Sequence, residues 1–288
     1  MALAFCFFGV KMQIQKLADK IVLTQVQNFR AKDILECGQI FRFTKNQDGH
    51  YTVFSLDKKA DIFEYDDRVE IATKDVDYFA HFFDLQKDYA VYRDKYAKYD
   101  FFDKAYAHGQ GIRILNQNLA EMIFSFIISA NNNIKRIQLI IERICNAIGD
   151  DMGGYHAFPT IEQMASVDEK FFKDVGAGYR AGYLVATAQK LANGFDLASL
   201  AHMSRNDARK ALLSLKGVGP KVADCILLFG LRKTNSFPVD TWTEKVYHAY
   251  FETGLKNREE IAKFFVDLFG DDAGYVQQYL FYYQRENF

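Results

Sequence analysis

Residues 212–224 read LLSLKGVGPKVAD, with Gly217, Gly219, Pro220 and Lys221 in close succession. The ten residues ending at Leu215, NDARKALLSL, carry a helical pattern, with Ser204 or Asn206 as its candidate N-cap. Gly217-Val218-Gly219 marks a tight reversal. Pro220 then suits the first position of a second helix, because its φ is fixed and its missing N–H is not needed there. Val222, Cys225, Ile226 and Phe229 recur at helical spacing and form that helix's buried face. Two short helices joined by a Gly-x-Gly turn make a helix-hairpin-helix.

The glycines of such a turn let the backbone approach a phosphate and offer it N–H groups. A turn that only reverses the chain has the same composition, so the stretch alone leaves both readings open. Lys221 falls in the first turn of the second helix, at the positive end of the helix dipole. That position, together with partial burial, is expected to lower its pKa and favour the neutral, nucleophilic amine. A surface lysine on a phosphate is the plainer alternative. Asp240 follows 19 residues later (240 − 221), in FPVDTW, where it can cap a helix starting at Thr241. A carboxylate fixed in this way stays ionised and can stabilise positive charge nearby. The chain has three prolines, and two of them, Pro220 and Pro238, flank this lysine and this aspartate.

Outward from there, the pattern divides in two. From 34 to 73 a two-residue alternation predicts strands, with Phe41 and Phe43 on one face and Ile40 and Arg42 on the other. Lys45-Asn46-Gln47-Asp48-Gly49 supplies a hairpin turn before HYTVFSL. DIFEY and RVEIAT, split by Asp66-Asp67, continue the sheet, and VDYFAHFFDL reads as a helix. After about Gly111 the period becomes helical. Leu119, Met122, Ile123, Phe126 and Ile127 keep one face, and Ile137, Ile140, Ile141, Ile144, Cys145 and Ile148 another, with Gly149 at the end. The expected fold class is α+β: an N-terminal antiparallel sheet domain with flanking helices over 12–113, then an all-helical domain over 114–288.

Of the 288 residues, 49% are hydrophobic and 25% charged, enough apolar material for a sizeable core. The formal net charge of -1 excludes a broad basic field, so any nucleic-acid contact must rest on local charge. Cys6, Cys37, Cys145 and Cys225 have no metal-ligand spacing, which argues against zinc, an iron–sulfur cluster or a disulfide framework and suits a reducing cytoplasm. The apolar start MALAFCFFGVK lacks a basic n-region and is too short to span a bilayer. It reads as an upstream start, with Met12 as the true beginning. No other segment reaches membrane length.

LKGVGPKVADC followed by FPVDTW resembles the helix-hairpin-helix plus Gly/Pro-Asp superfamily of DNA glycosylases. Within it, the chain is similar to the 8-oxoguanine DNA glycosylase/AP lyases. ECGQIFRF, FSFIISANNNIKRI, GAGYRAGY and AGYVQQYLF carry the resemblance from about residue 20 almost to the end. The resemblance implies that Lys221 is the Schiff-base nucleophile and Asp240 the catalytic carboxylate. It implies that Gly38, Cys225, Pro238, Gln277 and Phe281 contact the lesion. The Gly38 carbonyl would accept the N7 hydrogen that 8-oxoguanine has and guanine lacks. Cys225 and Phe281 would sandwich the extruded base, and Gln277 would read its Watson–Crick edge. Asn131 would fill the gap in the duplex, Arg136 and Arg180 would bond the orphaned cytosine, and Tyr179 would wedge beside it. Gly217 and Gly219 would meet the DNA backbone.

Several of these residues also have a plainer reading: Gly38 as the start of a strand, Cys225 and Phe281 as core, the asparagines as a helix connection, the arginines as surface charge. Two departures stand out. Trp242 occupies the place of a histidine in animal and fungal members, and Lys216 replaces an apolar residue or proline. The resemblance further implies a monomer acting on double-stranded DNA containing 8-oxoguanine, with no cofactor, no metal and no membrane, in the cytoplasm or, in a bacterium, on the nucleoid. A relative acting on alkylated purines and a non-catalytic DNA-binding module are the alternatives. The hairpin lysine argues against the first, and the Lys221/Asp240 pair against the second.

Overall fold

In the computed structural model, which describes residues 11–251 and 254–287, six short strands form one antiparallel sheet. The first ten residues, with the expected upstream start and Cys6, lie outside the described residues. The strands are β1 (Gln13–Lys16), β2 (Lys20–Thr24), β3 (Phe43–Lys45), β4 (Tyr51–Ser55), β5 (Lys58–Glu64) and β6 (Arg68–Ala72), in the order β1-β2-β6-β5-β4-β3. Ile21 and Leu23, Ala60 and Ile62, and Val69 and Ile71 are buried on alternate positions, while their neighbours turn outward. α1 (Ala31–Leu35) and α2 (Val76–Phe82) contribute Ile34, Leu35, Phe79 and Phe82 to the same core. The hairpin at 45–49 forms as expected, with Thr44 opposite Thr52 and Gly49 at φ +94°.

The expected alternation from residue 34 fails before Phe43. Residues 31–35 are helical, and 36–42 follow as turn and coil. The segment is fixed by side-chain bonds instead of a ladder. Buried Gln39 donates to the carbonyls of Ile34 (2.9 Å) and Arg113 (2.7 Å) and accepts from the Leu115 N–H (2.9 Å). Phe41 and Phe43 therefore do not share a face. Phe41 packs edge-on to Phe126 in the helical core, and Phe43 lies against the sheet core beside Tyr51. β1 and β2, which no explicit expectation named, are joined by a turn closed from Leu17 N–H to the Lys20 carbonyl (2.8 Å).

The helices of the second core are α3 (Ala90–Tyr96), α4 (Asp100–His108), α5 (Leu119–Ser129), α6 (Ile134–Ile148), α7 (Ile161–Ala165), α8 (Glu169–Asp174), α9 (Ala181–Ala192), α10 (Leu197–His202), α11 (Arg205–Leu213), α12 (Pro220–Phe229), α13 (Thr241–Tyr250), α14 (Arg258–Phe269) and α15 (Ala273–Asn287). The 3.6-residue pattern of α5 and α6 holds, and Gly149 is the C-cap of α6. α3 and α4 pack into this core through Tyr92, Tyr96, Phe102 and Tyr106, with α4 against α15. Polar ties join the two cores. Arg42 faces Glu121 (3.6 Å) with both side chains buried, and the second oxygen of Glu121 accepts from the Leu56 N–H (3.0 Å). Arg113 is wrapped by the carbonyls of Asn28, Phe83, Asp84 and Lys87. The Arg42–Glu121 pair ties the 36–42 segment to α5, the helix on which α12 packs.

Candidate active site

The helix-hairpin-helix is α11, the turn 214–219 and α12. Ser204, not Asn206, caps α11, its hydroxyl accepting from the Asp207 N–H (3.1 Å). Gly217 stands at φ +82°, and a Cβ there would come within 2.8 Å of Tyr183 Cβ, so glycine is required by both conformation and space. Gly219 is different. Its φ is -87°, and an added Cβ would meet open space within 4 Å. Pro220 opens α12 as expected, and Val222, Cys225, Ile226 and Phe229 are buried.

Asp240 is the N-cap of α13. Its Oδ1 accepts from the N–H groups of Trp242 (2.9 Å) and Thr243 (3.0 Å) and from the Thr243 hydroxyl (3.2 Å), while Thr243 returns a bond to the Asp240 N–H (3.0 Å). Among the described residues, all the bonds the carboxylate accepts fall on one oxygen, leaving the other for the opening that Asp240 shares with Lys221. Lys221 reaches that opening from the first turn of α12, with its Nζ 5.7 Å from the centroid of the Phe126 ring.

The expected depression of the Lys221 pKa is not met. Surrounding protein lowers it, but Cys225 and Asp240 raise it, and the upward pull prevails. The lysine side chain stays accessible to solvent even though protein crowds it on most sides, which weakens the desolvation on which the expectation relied. The free site therefore stores an ammonium. Burial pushes the Cys225 thiol up to about 11, so it remains protonated beside that amine.

Gly38, Cys225, Pro238, Gln277 and Phe281 come together with Lys221 and Asp240 around one cavity, although they span residues 38 to 281. Gly38 has φ +84°, and a Cβ on it would sit 3.0 Å from the Phe281 ring. The loop carrying it is held by the Gln278 amide, which donates to the Cys37 carbonyl (2.7 Å). Gln277 donates its Nε2 to the Pro238 carbonyl (3.3 Å), and its Oε1 is buried without a partner among the described residues. An acceptor in that state is suited to a donor that arrives with a ligand. The cavity holds only about 30 Å³, while the opening outside it, past Trp242, Asn132 and Arg285, holds about 320 Å³. Small-molecule pockets run to roughly 300–1,000 Å³, so a base can enter only if Phe281 or its neighbours move.

Asn131, Arg136, Tyr179 and Arg180 gather along the loop 130–133, whose Asn132 and Asn133 line the opening. The three asparagines form a loop as expected: Asn131 has φ 50° and Asn133 caps α6 by accepting from the Arg136 N–H. Tyr179 is 59% exposed, the most open large apolar side chain among the described residues. Arg180 is buried, not a surface charge. It donates to the carbonyls of Ala130, Asn131 (2.7 Å) and Ala177 (3.3 Å) and lies over the Tyr179 ring. Arg136 is exposed and donates to the Gly176 carbonyl (3.3 Å). Phe126, which the sequence places only on a helix face, and Gln39, Gln278 and Arg285 also shape the site and were not singled out for it. Gln39 and Gln278 had a signal, since each adjoins a residue that was.

The family described as HhH-GPD superfamily base excision DNA repair protein matches residues 124–270, and the 8-oxoguanine DNA glycosylase N-terminal domain matches 21–123. A probable N-glycosylase/DNA lyase of Methanothermobacter thermautotrophicus is 33% identical over 229 residues, 71% of this chain and 72% of that protein. The N-glycosylase/DNA lyase of Saccharomyces cerevisiae is 40% identical over 163 residues, 50% of this chain and 43% of that protein. Among solved structures, the Clostridium acetobutylicum 8-oxoguanine glycosylase/lyase, in complex with double-stranded DNA containing cytosine opposite 8-oxoguanine, is 35% identical. The similarity covers 96% of this chain and 99% of that one, with a TM-score of 0.91. The chain therefore belongs to the HhH-GPD superfamily of base excision DNA repair proteins, and carries the N-terminal domain of its 8-oxoguanine DNA glycosylases.

Proposed function

We propose that this protein is a bifunctional DNA glycosylase and AP lyase that removes 8-oxoguanine from duplex DNA, preferentially opposite cytosine, in base excision repair. One observation carries the reading: Lys221 and Asp240, on two different helices, meet at one opening beside Gly38, Cys225, Gln277 and Phe281.

The hairpin holds one strand through its backbone. The open space at Gly219 supports this, since nothing inside the protein asks for a glycine there. The lesion nucleotide leaves the stack and enters between Cys225 and Phe281. Gly38 accepts its N7 hydrogen, which guanine does not have, and the free Oε1 of Gln277 accepts from its Watson–Crick edge. Lys221 Nζ, once unprotonated, attacks C1′. The bond from C1′ to the base breaks, and the base leaves with the electron pair. Asp240 stabilises the positive charge that develops at the sugar. The sugar ring then opens to the imine, loss of a C2′ proton drives β-elimination, and the 3′ phosphate departs. Attack needs the free amine, so the proton stored on Lys221 must leave after the nucleotide enters. Filling the opening removes the remaining solvent and favours that loss. Asn131, Arg136, Tyr179 and Arg180 receive the orphaned cytosine. For Arg180 this requires exchanging bonds it now gives to loop carbonyls.

Borohydride trapping tests the reading. An 8-oxoguanine·cytosine duplex should give a covalent adduct, and a plain guanine duplex none. Lys221→Gln should abolish the adduct while still binding the lesion duplex. An adduct formed by that variant, or cleavage of alkylated-purine duplexes in place of 8-oxoguanine, would overturn the assignment.

A further inference from the structure

Arg285 lies on α15 one turn beyond Phe281, with its guanidinium 5.5 Å from the Phe281 ring centroid and 5.5 Å from that of Tyr282. Nη2 donates to the Glu36 carbonyl (2.5 Å) and to the Glu286 carboxylate (3.0 Å). Nη1 is buried and has no partner among the described residues. It stands 3.2 Å from the point a Cβ on Gly38 would occupy, so it faces the loop that borders the cavity. A guanidinium N–H removed from water without an acceptor is unfavourable, and such a group is explained when a ligand brings the acceptor.

The placement of Arg285 says which part of a ligand. Arg285 lines the outer opening with Lys221, Asp240 and Trp242, but it is absent from the lining of the inner cavity that holds Gln277 and Cys225. In the function proposed above, on which this step rests, the inner cavity takes the base and the outer opening passes its sugar and phosphates. Among the described residues lining that opening, Asp240 is the sole carboxylate, so an anion there meets two cations, Lys221 and Arg285. We infer that Arg285 Nη1 binds a backbone phosphate oxygen of the extruded nucleotide and thereby holds C1′ against Lys221. Arg285 is a positioning residue: it touches the nucleotide but not the reacting bond.

The test compares Arg285→Met, which keeps the stem packed on Phe281 and Tyr282, with Arg285→Lys, which keeps the charge. Both are placed in the Lys221→Gln background, so that binding is read without turnover. Affinity is measured over a salt series for two duplexes, one with 8-oxoguanine and one with a tetrahydrofuran abasic analogue. Arg285→Met should weaken both duplexes by roughly 10-fold or more and make the slope of log affinity against log salt shallower by about 0.9. Arg285→Lys should recover most of both. An unchanged salt slope would overturn the inference, since a purely structural role does not move it. A loss confined to the 8-oxoguanine duplex would also overturn it, by assigning the arginine to the base. The enzyme with Arg285 and Lys221 intact is assayed separately for cleavage of the lesion duplex. Failure there would sink the proposed function, whereas failure of the salt test with cleavage intact would sink only the phosphate contact.

Discussion

Asp240 has two separable jobs, and comparing Asp240→Asn with Asp240→Ala divides them. As an N-cap it holds two backbone N–H groups and a hydroxyl through Oδ1 alone. An amide oxygen can accept the same bonds, so Asn keeps the cap and loses only the attraction of a charge to the helix end, about 0.3–1 kcal/mol. Ala loses the cap as well, a further ~0.5–2 kcal/mol. At roughly 2–4 °C per kcal/mol for chains somewhat shorter than this one, the Asn variant should melt about 1–4 °C below the parent and the Ala variant about 2–12 °C below. Base excision should not follow that order. Both variants lack the carboxylate, and loss of one preorganised electrostatic contact costs about 10²–10³ in rate. Both should therefore fall by that factor in single-turnover excision of 8-oxoguanine. A second readout uses the amine. Cys225 and Asp240 raise the Lys221 pKa, so removing the anion must lower it. Imine formation on a preformed abasic site, followed by trapping, should extend to lower pH in the Asn variant. The reasoning is refuted if that variant excises within a few-fold of the parent, if activity tracks melting temperature across the two variants, or if the imine profile moves to higher pH.

Other outcomes follow from the same geometry. Gln277→Met removes a buried acceptor without a partner, a state that costs roughly 1–3 kcal/mol, so thermal unfolding should show a protein at least as stable as the parent, while lesion affinity in the Lys221→Gln background falls by roughly 10-fold or more. A drop in stability with affinity preserved would show that Oε1 has no ligand to meet. Arg42→Met strands the buried Glu121 carboxylate and should cost about 3–5 kcal/mol in chemical denaturation at pH 7. Burial already raises the Glu121 pKa, against the pull of Arg42, and loss of the arginine raises it further. A carboxyl whose folded pKa is raised favours folding when protonated, so the deficit should shrink as the pH falls from about 7 toward its unfolded value near 4.3. A deficit that stays constant with pH would show that Glu121 is not the group left unpaired.

Much of the fold and part of the site could be read from short stretches. Pro220 at the start of α12, Gly149 at the end of α6, Asp240 as a cap, and the alternation of β5 and β6 all depend on neighbours a few residues away, and all formed as expected. The break before Phe43 escaped the pattern because Gln39 is held by Arg113 and Leu115, more than seventy residues distant.

What the sequence by itself determined is the helix-hairpin-helix, α5, α6 and the strands from Phe43 onward, with the chemical types that each presents, because capping, turn conformation and hydrophobic period act over one or two turns. Only the tertiary structure decided the state of the site. The upward pull on the Lys221 pKa depends on the Asp240 carboxylate brought beside it, the closed cavity on Phe281 lying against Gly38, and the burial of Arg180 on the 130–131 carbonyls. Electrostatics and packing act through space, and between Cys37 and Gln278, bonded across 241 residues, no local pattern carries that information.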